Sequence, residues 1–288
     1  MGARSGWSWR PRERSGMLVV LLVLGILVGL EGCATGGGAA PKVASRERNR
    51  LATFGIIFPT SLDSLYDAAI LSSAVFRAEH QQSLVPVTGP TPMGSMISCD
   101  CASQGGGGCS SMCSLQTGVQ SAPSDIWLSR SDQFLQFCKG FAPDLTADQV
   151  VLKLQQLLGL PPQTNPGGAC TWKVLQLNVS GLTVPGQFFR PCTDPDPKTS
   201  GPCVADFSGN PPLATAEFRA WLAEQAFSAW QIPNGYPWTH LGYTYNWDPE
   251  AASIVGVSEY VIPQNTMIQV IGVVAAVPLC TEGRLSCP

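Results

Sequence analysis

Histidine is almost absent from this 288-residue chain, which contains only His80 and His240. Two imidazoles give little support for a metal centre, because protein zinc sites draw on several histidine or cysteine ligands. Three catalytic signatures are also missing: G-x-S-x-G, H-E-x-x-H and the phosphate-binding loop, since the glycines at 105–108 lack a following Lys-Ser or Lys-Thr. The sequence therefore predicts neither a cofactor nor a metal ion, and it favours a protein that is not an enzyme.

Basic residues are also scarce, with 17 Lys and Arg against 20 Asp and Glu. Residues 1–50 contain eight of the basic and three of the acidic side chains, which leaves nine against 17 in residues 51–288, a net charge of minus eight. A domain of this charge repels a phosphate backbone. Nucleic acid is therefore not an expected partner.

The chain has no apolar run long enough for a typical membrane-spanning helix. The longest, Met17–Leu30, is 14 residues and follows a segment that contains four arginines. A basic segment followed by a short apolar run is typical of a secretory signal peptide. We predict that residues 1–32 are such a signal.

The end of the apolar run resembles the bacterial lipobox, in which an aliphatic residue and then a small residue precede a cysteine. Leu30, Gly32 and Cys33 match this pattern, whereas Glu31 departs from it. The resemblance implies that Cys33 is lipidated and becomes the first residue of the mature protein. The alternatives are an ordinary signal peptide that is cleaved nearby, and an uncleaved anchor.

Residues 33–50 are predicted to be a flexible tether, because they begin with small residues and show no periodicity. Their net charge of plus three could contact anionic headgroups, or could belong to a solvated linker. A multiply acylated N-terminus would hold the protein stably on a membrane. Resemblance to the sorting signals of enteric bacterial lipoproteins implies the outer membrane, because Ala34 rather than Asp follows the cysteine. We therefore expect an exported lipoprotein that faces the periplasm or the cell surface.

Eleven cysteines are present, and the number becomes even once Cys33 is assigned to lipid attachment. An even number in an exported chain predicts a disulfide framework, here with up to five bridges. Turn-rich loops favour two local pairs, Cys192 with Cys203 and Cys280 with Cys287. The ten cysteines of the predicted framework are Cys99, Cys101, Cys109, Cys113, Cys138, Cys170, Cys192, Cys203, Cys280 and Cys287.

Four of these cysteines, between 99 and 113, are arranged as C-x-C and C-x3-C. Four thiolates at this spacing would suit zinc or copper(I), but an oxidising compartment favours two disulfides. The surrounding stretch 81–123 is rich in Gly, Ser and Pro and has no periodicity. We predict an irregular loop that its own cysteines hold in place.

The remaining chain alternates between helical and extended patterns without a regular βαβ order. We predict a single secreted domain over residues 51–288, a disulfide-linked α+β fold with a few helices packed on a mainly antiparallel sheet. In the helix predicted at 215–230, Phe227 lies opposite the apolar face, which suggests that this helix makes contacts on both sides. Helices are predicted at 62–73, 131–139, 147–158 and 215–230, and strands at 125–130, 171–179, 241–247, 256–262 and 266–276.

Several patches together resemble an uncharacterised family of bacterial secreted proteins. They are LQQLLGLPP, FRPC, GYPWTHLGYTYNW and GVSEYVI, and the most specific is the GYPWTxLGYTYxW pattern. The resemblance covers about residues 130–262 and implies a secreted domain, but no activity. The family pattern has Arg at His240 and an acid at Asn246, so neither position here would carry a common mechanism unchanged.

Aromatic residues are concentrated in GYPWTHLGYTYNW. If 242–247 is a strand, Tyr243, Tyr245 and Trp247 share one face, because side chains alternate along a strand. With Trp238 they could form a stacking platform for a sugar or peptidoglycan. The alternative is that they are half of a hydrophobic core.

His240, Asp248 and Glu259 are the only close group of acid–base residues. A hydrolase could use His240 as a base oriented by a carboxylate, or could use two carboxylates on a glycosidic bond. The alternative is that all three are structural. We therefore expect a membrane-anchored envelope lipoprotein that binds a glycan or protein partner or has a structural role, with a glycan or ester hydrolase using 236–259 as the second hypothesis.

Overall fold

The structure is a computed structural model that describes residues 61–74, 86–87, 91–99, 111–162, 168–182, 186–203, 207, 211–232 and 234–287. All of these residues belong to one compact unit, Ala40–Pro288. The predicted signal peptide, Cys33 with its tether, Cys101 and Cys109 lie outside the described residues.

A seven-stranded sheet, entirely antiparallel, forms the centre of the described part of the chain. Its strands are β1 (Pro92–Ser98), β2 (Gly118–Ser121), β3 (Ile126–Arg130), β4 (Trp172–Asn178), β5 (Tyr243–Tyr245), β6 (Val255–Ile262) and β7 (Met267–Ala275). Their spatial order is β2-β7-β4-β1-β3-β6-β5. Neighbouring strands are mostly distant in sequence, so the sheet depends on long-range pairing.

Five helices are present in the described ranges. They are α1 (Leu62–Ala74), α2 (Ser131–Lys139), α3 (Ala147–Leu158), α4 (Ala216–Ala229) and α5 (Ala276–Cys280). The helices predicted from periodicity agree with α1 to α4 to within a few residues, and α5 was missed. The predicted α+β class, with helices packed on an antiparallel sheet, is confirmed.

The ends of α3 follow directly from its sequence. The Thr146 side chain accepts from the backbone N–H of Gln149, whose own side chain accepts from the Thr146 N–H at 2.8 Å, so the capping box is complete. The helix ends at Gly159, which has the left-handed φ of 68° that glycine adopts readily. A Cβ atom at this position would lie 2.8 Å from the carbonyl oxygen of Pro237, so the end of α3 is in close contact with the 237 loop.

Apolar side chains cover both faces of the sheet, because the side chains of a strand point alternately to its two sides. The face that carries α2, α3 and α5 buries Phe134, Val150, Leu154, Trp172 and Val174. The opposite face buries Met93, Leu128, Leu175, Leu177 and Tyr260. The domain therefore has a core on each side of one sheet.

The prediction that 81–123 is an irregular loop is wrong for the described part of that stretch. Pro92–Ser98 is β1, a central strand that pairs with β4 over its full length and also with β3. Gly118–Ser121 is β2, at the edge of the sheet. The segment PMGSMIS is short of β-branched residues, so pairing with β4 rather than local propensity determines its structure.

Four disulfides join the described cysteines. Cys192 pairs with Cys203 as predicted, and Cys99 pairs with Cys113 across a short loop. The predicted pair Cys280 with Cys287 is wrong. Cys280 is joined to Cys138 and Cys287 to Cys170, because α5 folds back against α2 and α3 and brings the C-terminus to cysteines far away in sequence.

One helix face differs from its prediction. Phe227 of α4 is 73% exposed, so α4 contacts the domain through only one side, where Leu222 and Ala229 are buried. Across the described ranges, none of the helices combines the length and the apolar character that crossing a membrane requires.

Candidate functional site

The region 236–259 forms an edge of the sheet, where β5 pairs with β6. Glu259 donates its backbone N–H to the carbonyl of Gly242 at 2.8 Å, and Trp238 forms an isolated bridge with Thr244. Gly242 has φ 79°, and His240 has φ 46°, which is uncommon for a residue with a side chain. The backbone therefore bends sharply between Trp238 and β5, and this bend positions the candidate side chains.

The aromatic row belongs to the core. Tyr243, Tyr245 and Trp247 are 1%, 6% and 5% exposed. They pack with Tyr66 and Ile70 of α1. The Trp247 indole donates to the Leu160 carbonyl at 3.0 Å and meets the Tyr66 ring edge-on at 5.5 Å. The core interpretation is therefore correct, and these rings offer no exposed stacking platform.

Trp238 is buried as well, and both its backbone N–H and its indole N–H donate hydrogen bonds. Its backbone N–H donates to Oγ of Ser73 in α1 at 3.0 Å, and its indole Nε1 donates to Oε2 of Glu259 at 2.8 Å. Glu259 is only 8% exposed. Burial raises the pKa of its carboxyl to about 7, although the indole hydrogen bond opposes this shift. Glu259 can therefore change protonation near neutral pH, which is a property that general acids and bases share.

His240 lies close to the same indole. Its ring centroid is 6.0 Å from that of Trp238 and 5.2 Å from that of Trp230. Trp238 therefore contacts both His240 and Glu259. The structure thus brings two of the three candidate acid–base residues to one tryptophan.

Asp248 lies elsewhere and has a structural ion pair. Its Oδ2 is 3.0 Å from Nζ of Lys153 in α3, and its Oδ1 accepts from the backbone N–H of Glu250 at 2.9 Å. Glu259 pairs with Gly242, and Asp248 is six residues further along the hairpin. The Asp248 side chain therefore contacts α3 and its own turn, whereas the Glu259 side chain contacts Trp238, so the two carboxyls have different partners.

Asp248 instead borders a groove, named here the polar groove, with a volume of about 860 Å³. It lies between α2 with the segment 140–145, α3, and residues 246–257, which are the connection from β5 to β6 and the first residues of β6. Its polar lining consists of Asp132, Gln133, Gln136, Lys153, Asn246, Asp248 and Ser253. Phe137 and Phe141 contribute an aromatic wall.

The sequence offered little sign of this groove. Residues of α2 and residues of the β5–β6 connection lie more than 100 positions apart in the chain. Gln133 of α2 accepts from the N–H of Ser258 in β6 at 3.0 Å, so α2 is joined to the strand that follows this connection. The one local signal is the spacing of Asp132, Gln133 and Gln136, which places polar side chains on the solvent side of a helix.

A second, smaller pocket of about 470 Å³ lies beside the start of α4, next to Phe189, Phe218 and Trp221. Neither this pocket nor the polar groove is lined by His240 or Glu259. Among the described residues, no group of three or more His, Cys, Asp or Glu side chains could hold a metal ion.

Comparison of the chain with protein-family models, with curated proteins and with solved structures gives no match. The function must therefore be argued from the residues themselves.

Proposed function

We propose that this protein is an exported lipoprotein of the bacterial envelope that binds a ligand and does not catalyse a reaction. The proposed localisation rests on the signal-like segment before Cys33 and on the resemblance of the end of that segment to a lipobox. Four disulfides in the described residues support it, because such bonds persist in an oxidising, extracytoplasmic setting. On this proposal Cys33 anchors the domain in the outer membrane, facing the periplasm or the surface.

The observation that carries the binding role is the polar groove. It is a concave surface within the size range of ligand sites, and it combines hydrogen-bonding side chains with an apolar wall. Its most buried ionic group, Asp248, already has a lysine partner. A carboxylate held in place by such a pair can accept hydrogen bonds from a ligand.

The anchor is tested by labelling cells that express the full chain with radioactive palmitate. We expect labelled protein in the membrane fraction, and we expect Cys33→Ser to lose both the label and the membrane association. A cysteine replacement elsewhere, Cys99→Ser with Cys113→Ser, is the control and should keep the label. Labelling that persists in Cys33→Ser would refute the lipid anchor.

A hydrolase is the second candidate, and the raised pKa of Glu259 favours it. In that case Glu259 would act as the acid, with His240 across the Trp238 indole as its partner. Turnover of peptidoglycan and of ester substrates should then fall at least 100-fold in Glu259→Gln and in His240→Ala. Equal turnover in the wild type and both variants would remove this candidate.

A further inference from the structure

The charges at the polar groove cancel. Asp248 is paired with Lys153 at 3.0 Å, and both side chains are largely buried, with 10% and 29% exposed. Asp132 is held by two hydrogen bonds from Arg130, at 2.9 and 2.7 Å. Each carboxylate that lines the groove therefore has its own cation, and a charged ligand would find no counter-charge there without breaking a pair.

The hydrogen-bonding groups of the groove are held in position before any ligand arrives. The side-chain oxygen of Asn246 accepts from the Asp248 N–H at 3.1 Å, and Asn246 is 4% exposed. The side-chain oxygen of Gln133 accepts from the Ser258 N–H, which leaves its amide N–H groups as donors. A ligand that binds here loses little free energy in ordering these side chains.

An apolar wall stands beside these polar groups. Phe137 and Phe141 meet edge to face with centroids 5.2 Å apart, and both line the groove. Leu157 and Val257 line it as well. The combination of fixed amides, neutralised carboxylates and an apolar surface suits a ligand with many hydroxyl or amide groups, no net charge and apolar C–H faces.

We infer that the polar groove binds an uncharged glycan chain. This inference deepens the proposed binding function and rests on it. Sugar hydroxyls both donate and accept, which matches the amide and carboxylate groups of the lining, and sugar rings present C–H faces to aromatic walls.

The charge requirement is tested with three oligosaccharides of one size. Triacetylchitotriose is neutral, chitotriose at slightly acidic pH is a cation, and trigalacturonic acid is an anion. Titration calorimetry with the disulfide-intact domain should give binding of the neutral trisaccharide and at least tenfold weaker binding of both charged ones. Equal affinity for a charged form, or binding of a neutral peptide without binding of the neutral sugar, would overturn the inference.

Lys153→Met provides a second, independent test. It leaves the Asp248 carboxylate without its cation, so the affinity ratio of chitotriose over triacetylchitotriose should rise at least tenfold. Lys139→Met on α2 is the matched control, because Lys139 is exposed and does not line the groove. An unchanged ratio in folded Lys153→Met would contradict the inference.

A bulky substitution at the rim tests whether the glycan binds in the polar groove. Ala252→Trp adds a large ring at the rim of the groove, and we expect it to reduce glycan binding at least tenfold. Ala223→Trp, on the exposed side of α4, should leave binding unchanged. Equal binding in the two variants would place any glycan site elsewhere, whereas the palmitate experiment on Cys33 would still decide the anchor separately.

Discussion

The guanidinium of Arg190 lies fully buried with its Nη2 atom 2.8 Å from Oδ2 of Asp194, as an ion pair without good hydrogen-bond alignment. Its Nε donates to the Asp194 carbonyl at 3.1 Å, and Nη1 donates to the carbonyls of Thr199 and Gly201 at 3.2 and 3.1 Å. The loop between Cys192 and Cys203 is thus folded around one arginine.

Replacement of Arg190 by lysine should be costly. A lysine ammonium lacks the planar fork of donors, so it cannot serve the three carbonyls and the Asp194 carboxylate together. We expect the free energy of unfolding to fall by about 3 kcal/mol in urea denaturation. Arg130→Lys is the matched control, since Asp132 is 62% exposed and such a pair contributes at most about 1 kcal/mol. Equal losses in the two variants would contradict this role.

The buried carboxyl of Glu259 should make stability depend on pH. Its folded-state pKa of about 7 exceeds the ordinary 4.5, so the folded protein holds a proton that the unfolded chain has already released between these values. Stability is therefore highest below about pH 4.5 with respect to this group and falls as pH rises to 7, by on the order of 3 kcal/mol.

Glu259→Gln keeps the acceptor for the Trp238 indole and removes the titration. Chemical denaturation at several pH values should show that the variant loses less stability than the wild type between pH 4.5 and 7. Parallel curves for the two proteins would mean that Glu259 ionises in the folded state with an ordinary pKa.

Disulfide mapping tests the C-terminal arrangement. Non-reducing digestion and mass spectrometry should yield peptides that link Cys138 to Cys280 and Cys170 to Cys287. A peptide that links Cys280 to Cys287 would show that α5 does not fold back as described.

The two kinds of disulfide should also differ in their contribution to stability. The Cys138–Cys280 bond joins residues 142 positions apart, whereas Cys192–Cys203 spans 11. With Cys170–Cys287 intact, Cys138–Cys280 closes a loop of about 40 residues, so chain entropy predicts losses of about 4 and about 3 kcal/mol when each pair is replaced by alanine. Thermal denaturation of the two double variants should therefore rank the long-range pair as more stabilising, and the reverse order would contradict the entropy argument.

Position 159 requires glycine, because its backbone is left-handed and because a neighbouring carbonyl leaves no room for a Cβ atom. Alanine there would take a left-handed φ and would bring a Cβ atom to 2.8 Å from the Pro237 carbonyl. We expect Gly159→Ala to lower the free energy of unfolding by about 2 kcal/mol. Gly181→Ala is the control, because a Cβ at Gly181 meets no atom within 4 Å, and it should change stability by less than about 0.5 kcal/mol.

The amino-acid sequence by itself determined the local features of this protein. Helix α3 begins where the side chains of Thr146 and Gln149 bond the free N–H groups of its first turn. It ends at Gly159, because glycine readily adopts the left-handed backbone conformation found there. The pair Cys192–Cys203 is predictable because a short, proline-rich loop keeps its ends together. The leader and Cys33 are likewise local patterns, and they stay predictions.

Only the tertiary structure decided the features that depend on distant residues. Sheet pairing makes PMGSMIS a central strand, and the return of α5 to α2 selects the partner of Cys280. The same long-range packing buries Glu259 under Trp238, moves Asp248 to a different surface and assembles the polar groove. Periodicity and spacing report a residue's immediate neighbours, whereas burial, pKa and ligand sites depend on segments that meet only when the sheet is complete.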